Sequence, residues 1–349
     1  MMIRGAATAA TLAAAVVASG CAGSGAAHRP TKPAAASSPS ATRSASAARS
    51  PAPGIGVLGR FRTGQRWLRF TEPAHAGPTG DQLGPRPLSV QIWYPLARAA
   101  GRPGRPAAGP LPLIAFGPGF MQCGTPYSRL LRAWASAGYV VEVVNFPLSD
   151  CHAAAPTEAD MVNQPADMSF AITRLLGLRT RSRGLLHALR LSPHEIGVAG
   201  QSDGGDTVAA VAASACCADH RVAAVAVLSG ARWPAFPGAY FATQPAPMLF
   251  TQGSADTVNL PGCSIALYHA DPARARYYLD LFGADHTTPY WGSNSFERVV
   301  AGVSVAFFDR YVLGIATARL AMRRLGDVSG TSALFSHGGG HLPAGPCVT

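Results

Sequence analysis

Short apolar runs recur along the chain from about residue 57 to residue 313, and stretches with helical periodicity separate most of them. Their length and their aliphatic and aromatic content are typical of buried β-strands. The predicted strands are Leu88 to Tyr94, Leu111 to Phe116, Tyr139 to Phe146, Glu195 to Ala199, Val222 to Leu228, Pro247 to Gln252 and Arg276 to Phe282. Strands that alternate with helices predict a mainly parallel sheet with helices on both faces.

The predicted helices lie between or after these strands. They are Tyr127 to Ala137, Asp160 to Leu176, Asp203 to Ala215 and Ser295 to Leu313. The earlier segment Val57 to Phe70 is predicted to pair with the first strand as an antiparallel hairpin. Because open α/β sheets bind ligands at the carboxyl ends of their strands, we expect the functional residues in the loops that leave the strands.

The two ends of the chain differ from its middle. Residues 1–21 have a basic residue, an apolar stretch and small residues before Cys21, as in a bacterial signal peptide that ends in a lipidated cysteine. An ordinary signal peptide is the alternative, and both predict export. Residues 22–54 are rich in Ala, Ser and Pro and are predicted to be a disordered tether. We expect a catalytic domain at 55–315 and a C-terminal tail at 316–349.

The formal net charge of +11 does not indicate a nucleic-acid partner. Five of the basic residues lie in the signal segment and tether, which contain no acidic residue because the first one in the chain is Glu72. Basic motifs interleaved with aromatic residues are missing from the sequence. If Cys21 carries a lipid, the expected contact is with a membrane.

The cysteines predict disulfides rather than a metal site. Six cysteines remain after Cys21, which in an exported protein favours disulfides, and we favour the pair Cys123–Cys151 because each follows one of two adjacent predicted strands. The spacing does not resemble a zinc site. The run from His337 to His341 resembles a lipase oxyanion loop but lies after every other candidate residue. We expect no metal and no cofactor.

The pentapeptide Gly200-Gln201-Ser202-Asp203-Gly204 lies where a predicted strand meets an alanine-rich helix. This is the sequence pattern of a nucleophile elbow, in which a strained turn exposes a serine and leaves no room for side chains at the flanking glycines. The alternative is a structural turn with an inactive serine. The start of the following helix also offers N–H groups that can stabilise an oxyanion.

Partners for Ser202 follow in the order acid, then histidine. Asp256 comes after the strand that ends near Gln252, and His286 comes after the strand that ends near Phe282. Individually, each has an ordinary explanation as a turn or surface residue. Together they match the chain order of a Ser-Asp-His triad on an α/β sheet.

A second oxyanion donor is expected in the loop after the strand Leu111 to Phe116. There the glycine turn Gly117-Pro118-Gly119-Phe120 can direct the N–H of Phe120 towards the serine, opposite the N–H of Asp203. An ordinary Gly-Pro turn is the alternative.

With these motifs the chain resembles the α/β-hydrolase superfamily over most of Val57 to Leu313. Three further segments resemble its bacterial branch related to platelet-activating-factor acetylhydrolase, dienelactone hydrolase and cutinase-like polyesterases: Val90 to Pro95, Gly117 to Phe120 and Gln164 to Met168. The resemblance implies hydrolysis of small-molecule, lipid or polyester carboxylic esters, with Ser202 as nucleophile, His286 as base and Asp256 as orienting acid.

Two residues depart from the family pattern. Gln201 stands where His or Trp is frequent, and Asp203 stands where a small or apolar residue is common. A carboxylate beside the serine disfavours anionic substrates. A peptidase, an acyltransferase and a catalytically silent binding protein of the cell envelope on the same fold are the alternative interpretations.

Overall fold

The computed structural model describes residues 58–97, 104–178, 185–231, 236–242 and 246–337, together with Leu342 and Cys347. The segment 1–21 with Cys21 and the tether 22–54 lie outside the described residues. Export and lipidation therefore stay predictions. Among the described helices, none is both long and apolar enough to cross a membrane.

Strands and helices alternate along most of the described chain. The strands are β1 (Thr63–Glu72), β2 (His75–Ala76), β3 (Gln82–Leu83), β4 (Arg86–Pro95), β5 (Leu111–Gly117), β6 (Val140–Asn145), β7 (Leu191–Gln201), β8 (Val222–Leu228), β9 (Met248–Gly253), β10 (Arg276–Leu281) and β11 (Ser332–Ser336). The helices are α1 (Ser128–Ser136), α2 (Gln164–Leu176), α3 (Leu185–Ala188), α4 (Asp203–Ala213), α5 (Pro261–Ala270), α6 (Ser295–Tyr311) and α7 (Ala318–Gly326), and a 3₁₀ helix (Glu158–Asn163) precedes α2.

Nine strands form one sheet in the order β1-β4-β6-β5-β7-β8-β9-β10-β11. The six strands from β6 to β10 in this order are parallel. β1 and β4 at one edge and β11 at the other are antiparallel to their neighbours. The predicted mainly parallel sheet is confirmed. The antiparallel pair β1 and β4 corresponds to the hairpin predicted for Val57 to Phe70 with the first strand.

Both faces of the sheet are covered by helices. One hydrophobic cluster joins the sheet to α2, α4 and α5, and the other joins it to α1, α6 and α7. Along β5, Leu113 and Ala115 belong to the first cluster, whereas Ile114 and Phe116 belong to the second. Because alternate side chains of a strand point to opposite faces, a strand covered on both sides is a continuous apolar run, which explains the sequence pattern.

The folded domain extends beyond the boundary expected at residue 315. Helix α7 buries Met322 in the second cluster, and β11 adds a strand beside β10. The expected tail at 316–349 therefore contains ordered elements up to Ser336. The sequence does not predict helix α5 either, because this segment is apolar on nearly every side and carries no helical periodicity.

A buried ion-pair network connects β4 to the α2 region. The Arg86 guanidinium donates to both carboxylate oxygens of Asp160 (2.9 and 2.6 Å) and to both of Asp167 (2.7 Å each). All three residues are buried. Bidentate geometry on both acids offsets the cost of removing these charges from water. Asp167 belongs to the segment Gln164 to Met168 that resembles the hydrolase branch.

Three disulfides are present among the described residues. The predicted Cys123–Cys151 bond is present, and it joins the loops that follow the adjacent strands β5 and β6. Two further bonds are Cys216–Cys217, after α4, and Cys263–Cys347, which attaches the end of the chain to α5.

Candidate active site

Ser202 occupies a sharp turn between β7 and α4. Its backbone has φ 55° and ψ −126°, a region that residues with a side chain rarely adopt. The flanking glycines are needed for space, since a Cβ on Gly200 would lie 2.0 Å from the carbonyl oxygen of Gly204, and one on Gly204 would lie 2.0 Å from that of Gly117. The structure thus places this serine in the geometry expected of a nucleophile elbow.

Asp256 and His286 lie on the loops that leave the adjacent parallel strands β9 and β10. The distance between His286 Nδ1 and Asp256 Oδ2 is 2.8 Å. Gln252 Nε2 also donates to Oδ2, at 2.8 Å, while the N–H groups of Val258 and Asn259 donate to Oδ1, at 2.9 and 3.0 Å. Four donors therefore fix the orientation of a fully buried carboxylate.

A cavity of about 610 Å³ opens at the carboxyl edge of the sheet. Ser202, His286, Phe120 and Asp203 all line it, and Asp256 lies behind His286. The structure therefore brings the predicted site residues of the folded domain to one place. Within the described chain, no hydrogen bond joins Ser202 to His286; the Nε2 atom of His286 instead lies 3.1 Å from Gln201 Nε2.

The two predicted oxyanion donors lie on different elements beside the cavity. Gly119 donates its N–H to the Tyr127 hydroxyl (3.2 Å) and Met121 donates to Ser149 O (2.7 Å), while the Phe120 N–H between them has no acceptor in the part of the protein described. Asp203 is the first residue of α4, where a backbone N–H has no acceptor within the helix.

Sequence reasoning missed the contacts of Gln201 and the contribution of Tyr127. The Tyr127 hydroxyl donates to Gln201 Oε1 at 2.7 Å. Gln201 Nε2 lies 3.1 Å from both the Nε2 atom and the carbonyl oxygen of His286. In the sequence, Gln201 stands out only as an unusual residue before a serine. No sequence pattern points to Tyr127, which lies 74 positions from Gln201 along the chain.

Three carboxyl groups line the same cavity: Glu158, Asp203 and Asp206. Burial and the nearby charge of Glu158 raise the pKa of Asp203 to about 7, against the opposing effects of its own N–H and His286. Burial and the charge of Asp203 raise the pKa of Asp206 well above its usual value, although the Ala231 N–H donates to this carboxyl at 2.6 Å. The charge of the cavity therefore changes near neutral pH.

The remaining histidine and cysteine candidates lie elsewhere. His337 directly follows β11 and its N–H donates to Arg276 O, while residues 338–341 lie outside the described residues. Cys123, Cys151 and His152 form a group of ligand-type atoms, but the two cysteines are joined in a disulfide and are not free thiolates.

Comparison with known proteins supports the fold. No protein-family model matches the chain, and no curated protein matches it. Among solved structures, the ferulic acid esterase of Streptomyces cinnamoneus superposes with a TM-score of 0.55 at 21% identity, over 76% of this chain and 93% of that chain. The sheet topology, the elbow and this likeness together define an α/β-hydrolase fold.

Proposed function

We propose that the protein is a serine hydrolase that cleaves carboxylic esters, with Ser202 as nucleophile, His286 as base and Asp256 as the acid that orients the base. The observation that carries the proposal is the 2.8 Å bond between His286 and Asp256 at a cavity that also exposes a serine on a strained elbow. A carboxylate, an imidazole and a hydroxyl in this arrangement are the groups that acyl transfer requires.

In the proposed reaction, Ser202 Oγ attacks the ester carbonyl carbon while its proton passes to His286 Nε2. The carbonyl π electrons become an oxyanion, which accepts hydrogen bonds from the N–H groups of Phe120 and Asp203. The oxyanion collapses, the ester C–O bond breaks and the alcohol leaves with the proton from His286. Water then attacks the acyl-enzyme by the same route, which releases the acid and restores the serine.

Carboxylic esters of small molecules, lipids or polyesters are the proposed substrates, in keeping with the resemblance to acetylhydrolases and cutinase-like enzymes. The cavity volume is in the range of small-molecule sites. The structural neighbour is named for esters of ferulic acid, so an aryl ester of that type belongs in the first substrate panel. We propose that the reaction needs no metal or cofactor.

We also propose that the protein acts outside the cytoplasm, as a secreted enzyme or as a lipoprotein attached to a membrane through Cys21. The disulfides Cys123–Cys151 and Cys263–Cys347 support an oxidising compartment. The basic residues of the tether are suited to contact anionic groups at that surface.

The deciding experiment measures hydrolysis of p-nitrophenyl esters of increasing chain length, and of methyl ferulate, by the full chain and by its Ser202→Ala variant. We expect the wild-type rate to fall by about 10⁶-fold or to background in Ser202→Ala. Ser89→Ala is the matched control because Ser89 lies on β4 and does not line the cavity. Equal rates in wild type and Ser202→Ala would reject the proposal.

A catalytically silent binding protein is the second candidate. One observation favours it, namely that Gln201 rather than Ser202 contacts the Nε2 atom of His286. Such a protein would not react with a fluorophosphonate probe at Ser202, whereas an esterase would be labelled there. Mass spectrometry of the labelled peptide separates these two functions.

A further inference from the structure

The side chain of Gln201 lies at the meeting point of the nucleophile elbow, the loop after β5 and the loop after β10. It is buried, with 1% of its surface exposed. Its carboxamide contacts Tyr127 on one side and His286 on the other. A Cβ on Gly119 would lie 2.8 Å from Gln201 Oε1, so the loop after β5 packs directly against this amide.

Simple donor and acceptor rules determine the direction of every hydrogen bond in this network. A backbone N–H only donates, so the Tyr127 hydroxyl accepts from Gly119 and must give its own proton to Gln201 Oε1. The carbonyl oxygen of His286 only accepts, which requires the NH₂ group of Gln201 on that side. The carbonyl oxygen of His286 therefore determines the orientation of the amide, which leaves Oε1 to accept from Tyr127.

The same rules determine the proton on His286. Its Nδ1 atom faces the carboxylate of Asp256, which accepts, so Nδ1 carries the hydrogen. Its Nε2 atom faces the NH₂ group of Gln201, which only donates, so Nε2 carries a lone pair. Gln201 donates to that lone pair. This is the tautomer that a general base must have in order to remove the serine proton.

We propose that Gln201 is a positioning residue that holds His286 in this tautomer and, through Tyr127, holds the loop that carries the Phe120 N–H. The inference rests on the proposed esterase function and assigns one residue to the alignment of both the base and the oxyanion donor. Because one polarised chain of hydrogen bonds runs from Gly119 through Tyr127 and Gln201 to His286, a break at any point loosens both ends.

The lone pair on Nε2 accepts one hydrogen bond at a time. When the Ser202 hydroxyl approaches with substrate bound, it must replace the amide hydrogen of Gln201 at Nε2. The bond from the same NH₂ group to the carbonyl oxygen of His286 need not break. Gln201 thus keeps the loop of His286 in place during proton transfer and contacts Nε2 again when the serine is free.

The kinetic test uses Gln201→Met, Tyr127→Phe and the double variant of the full chain. Misplacement of a catalytic group by about 1 Å can cost about 10²-fold, so we expect Gln201→Met to lower kcat by about that factor with KM changed by less than about threefold. Tyr127→Phe should lower kcat in the same direction. Because both changes break one network, the double variant should lose little more than the worse single variant.

Tyr139→Phe is the matched control. Its hydroxyl is also buried and also donates to a side chain, Asp309, but Tyr139 directly precedes the first residue of β6 and does not line the cavity. We expect this variant to retain the wild-type kcat. Multiplicative losses in the double variant, or a Gln201→Met variant with normal kcat, would overturn the inference.

A spectroscopic test does not depend on activity. In protein labelled with ¹⁵N-histidine, we expect a downfield Nδ1–H proton signal that disappears in His286→Ala and that broadens or exchanges faster in Gln201→Met and Tyr127→Phe. An unchanged signal in both variants would refute the positioning role even if esterase activity is present. If the wild-type protein hydrolyses no ester but the Nδ1–H signal changes in Gln201→Met and Tyr127→Phe, the esterase function is rejected and the hydrogen-bond network is established.

Discussion

His286 Nδ1 lies 2.8 Å from Asp256 Oδ2, and this bond joins the loops of two neighbouring parallel strands. The carboxylate is held by four donors, so it acts as a fixed point against which the imidazole is oriented. The loops themselves approach closely, since a Cβ on Gly253 would lie 2.3 Å from the carbonyl oxygen of Ala284.

Asp256→Asn should abolish most of the activity without unfolding the protein. The amide of Asn can donate to Nδ1, which favours the tautomer with the hydrogen on Nε2, and that tautomer cannot accept the proton of Ser202. We expect kcat to fall by about 10³- to 10⁴-fold, measured with the p-nitrophenyl ester that wild type hydrolyses best. A thermal melt of the same sample checks the fold, and a kcat above half of the wild-type value would contradict the assigned role.

Asp203 should make the proposed esterase discriminate against anionic esters in a pH-dependent way. Its pKa is about 7, raised by burial and by the charge of Glu158. Below that pH the carboxyl is neutral, and above it the negative charge repels a carboxylate on the substrate. We expect the ratio of kcat/KM for a neutral ester to that for its carboxylate analogue to rise about tenfold as pH increases through 7.

In Asp203→Asn this rise should disappear, because the side chain keeps its shape but does not ionise. The measurement is kcat/KM for both esters from pH 5 to pH 9. A wild-type ratio that is flat over this range would show that Asp203 does not sense the substrate charge, and an unchanged rise in Asp203→Asn would assign the effect to Asp206 or Glu158.

Glu142 should weaken the fold at neutral and alkaline pH. It lies in the middle of β6, fully buried, and neither carboxylate oxygen has a hydrogen-bond partner in the described chain. Burial raises its pKa from 4.5 to about 8, opposed by the distant charge of Arg221. Since the unfolded state ionises at lower pH than the folded state, the free energy of unfolding should fall as pH rises from about 4.5 to about 8.

Glu142→Leu removes this linkage. At pH 7 the loss of this proton linkage alone should raise the free energy of unfolding of Glu142→Leu by about 3 kcal/mol, from 1.36 kcal/mol per pH unit. Urea unfolding of wild type and variant at pH 4, 6 and 8 measures the effect. The difference in the free energy of unfolding should widen with pH, and a difference that is the same at pH 4 and pH 8 would refute the linkage.

Arg86→Met should destabilise the fold severely. The substitution leaves Asp160 and Asp167 buried without the guanidinium that both contact. Breaking a buried ion pair from one side costs about 3 to 5 kcal/mol of unfolding free energy. Arg66→Met, on the exposed side of β1, is the matched control and should change that free energy by less than about 0.5 kcal/mol.

Local sequence patterns were sufficient to predict the sheet and the positions of the candidate catalytic residues. Apolar runs such as Leu111 to Phe116 predicted the parallel strands, because a strand covered on both faces has no polar side to interrupt it. The glycines around Ser202 predicted the sharp turn, since only residues without a Cβ fit there. The order of strands and loops then placed Asp256 and His286 at one edge of the sheet, and the adjacency of two strands predicted Cys123–Cys151.

Other features depended on tertiary structure. The contact between Gln201 and His286 spans 85 positions of the chain, and the burial of Glu142 depends on helices that come from other parts of the sequence. The places of helix α7 and strand β11 in the fold depend on contacts with other elements, because α7 buries Met322 in the second cluster and β11 pairs with β10. By itself, therefore, the sequence predicted the candidate catalytic residues and the strands whose loops carry them. Only tertiary packing decided that Gln201 Nε2 contacts His286 Nε2, because hydrogen-bond partners depend on distances in space rather than along the chain.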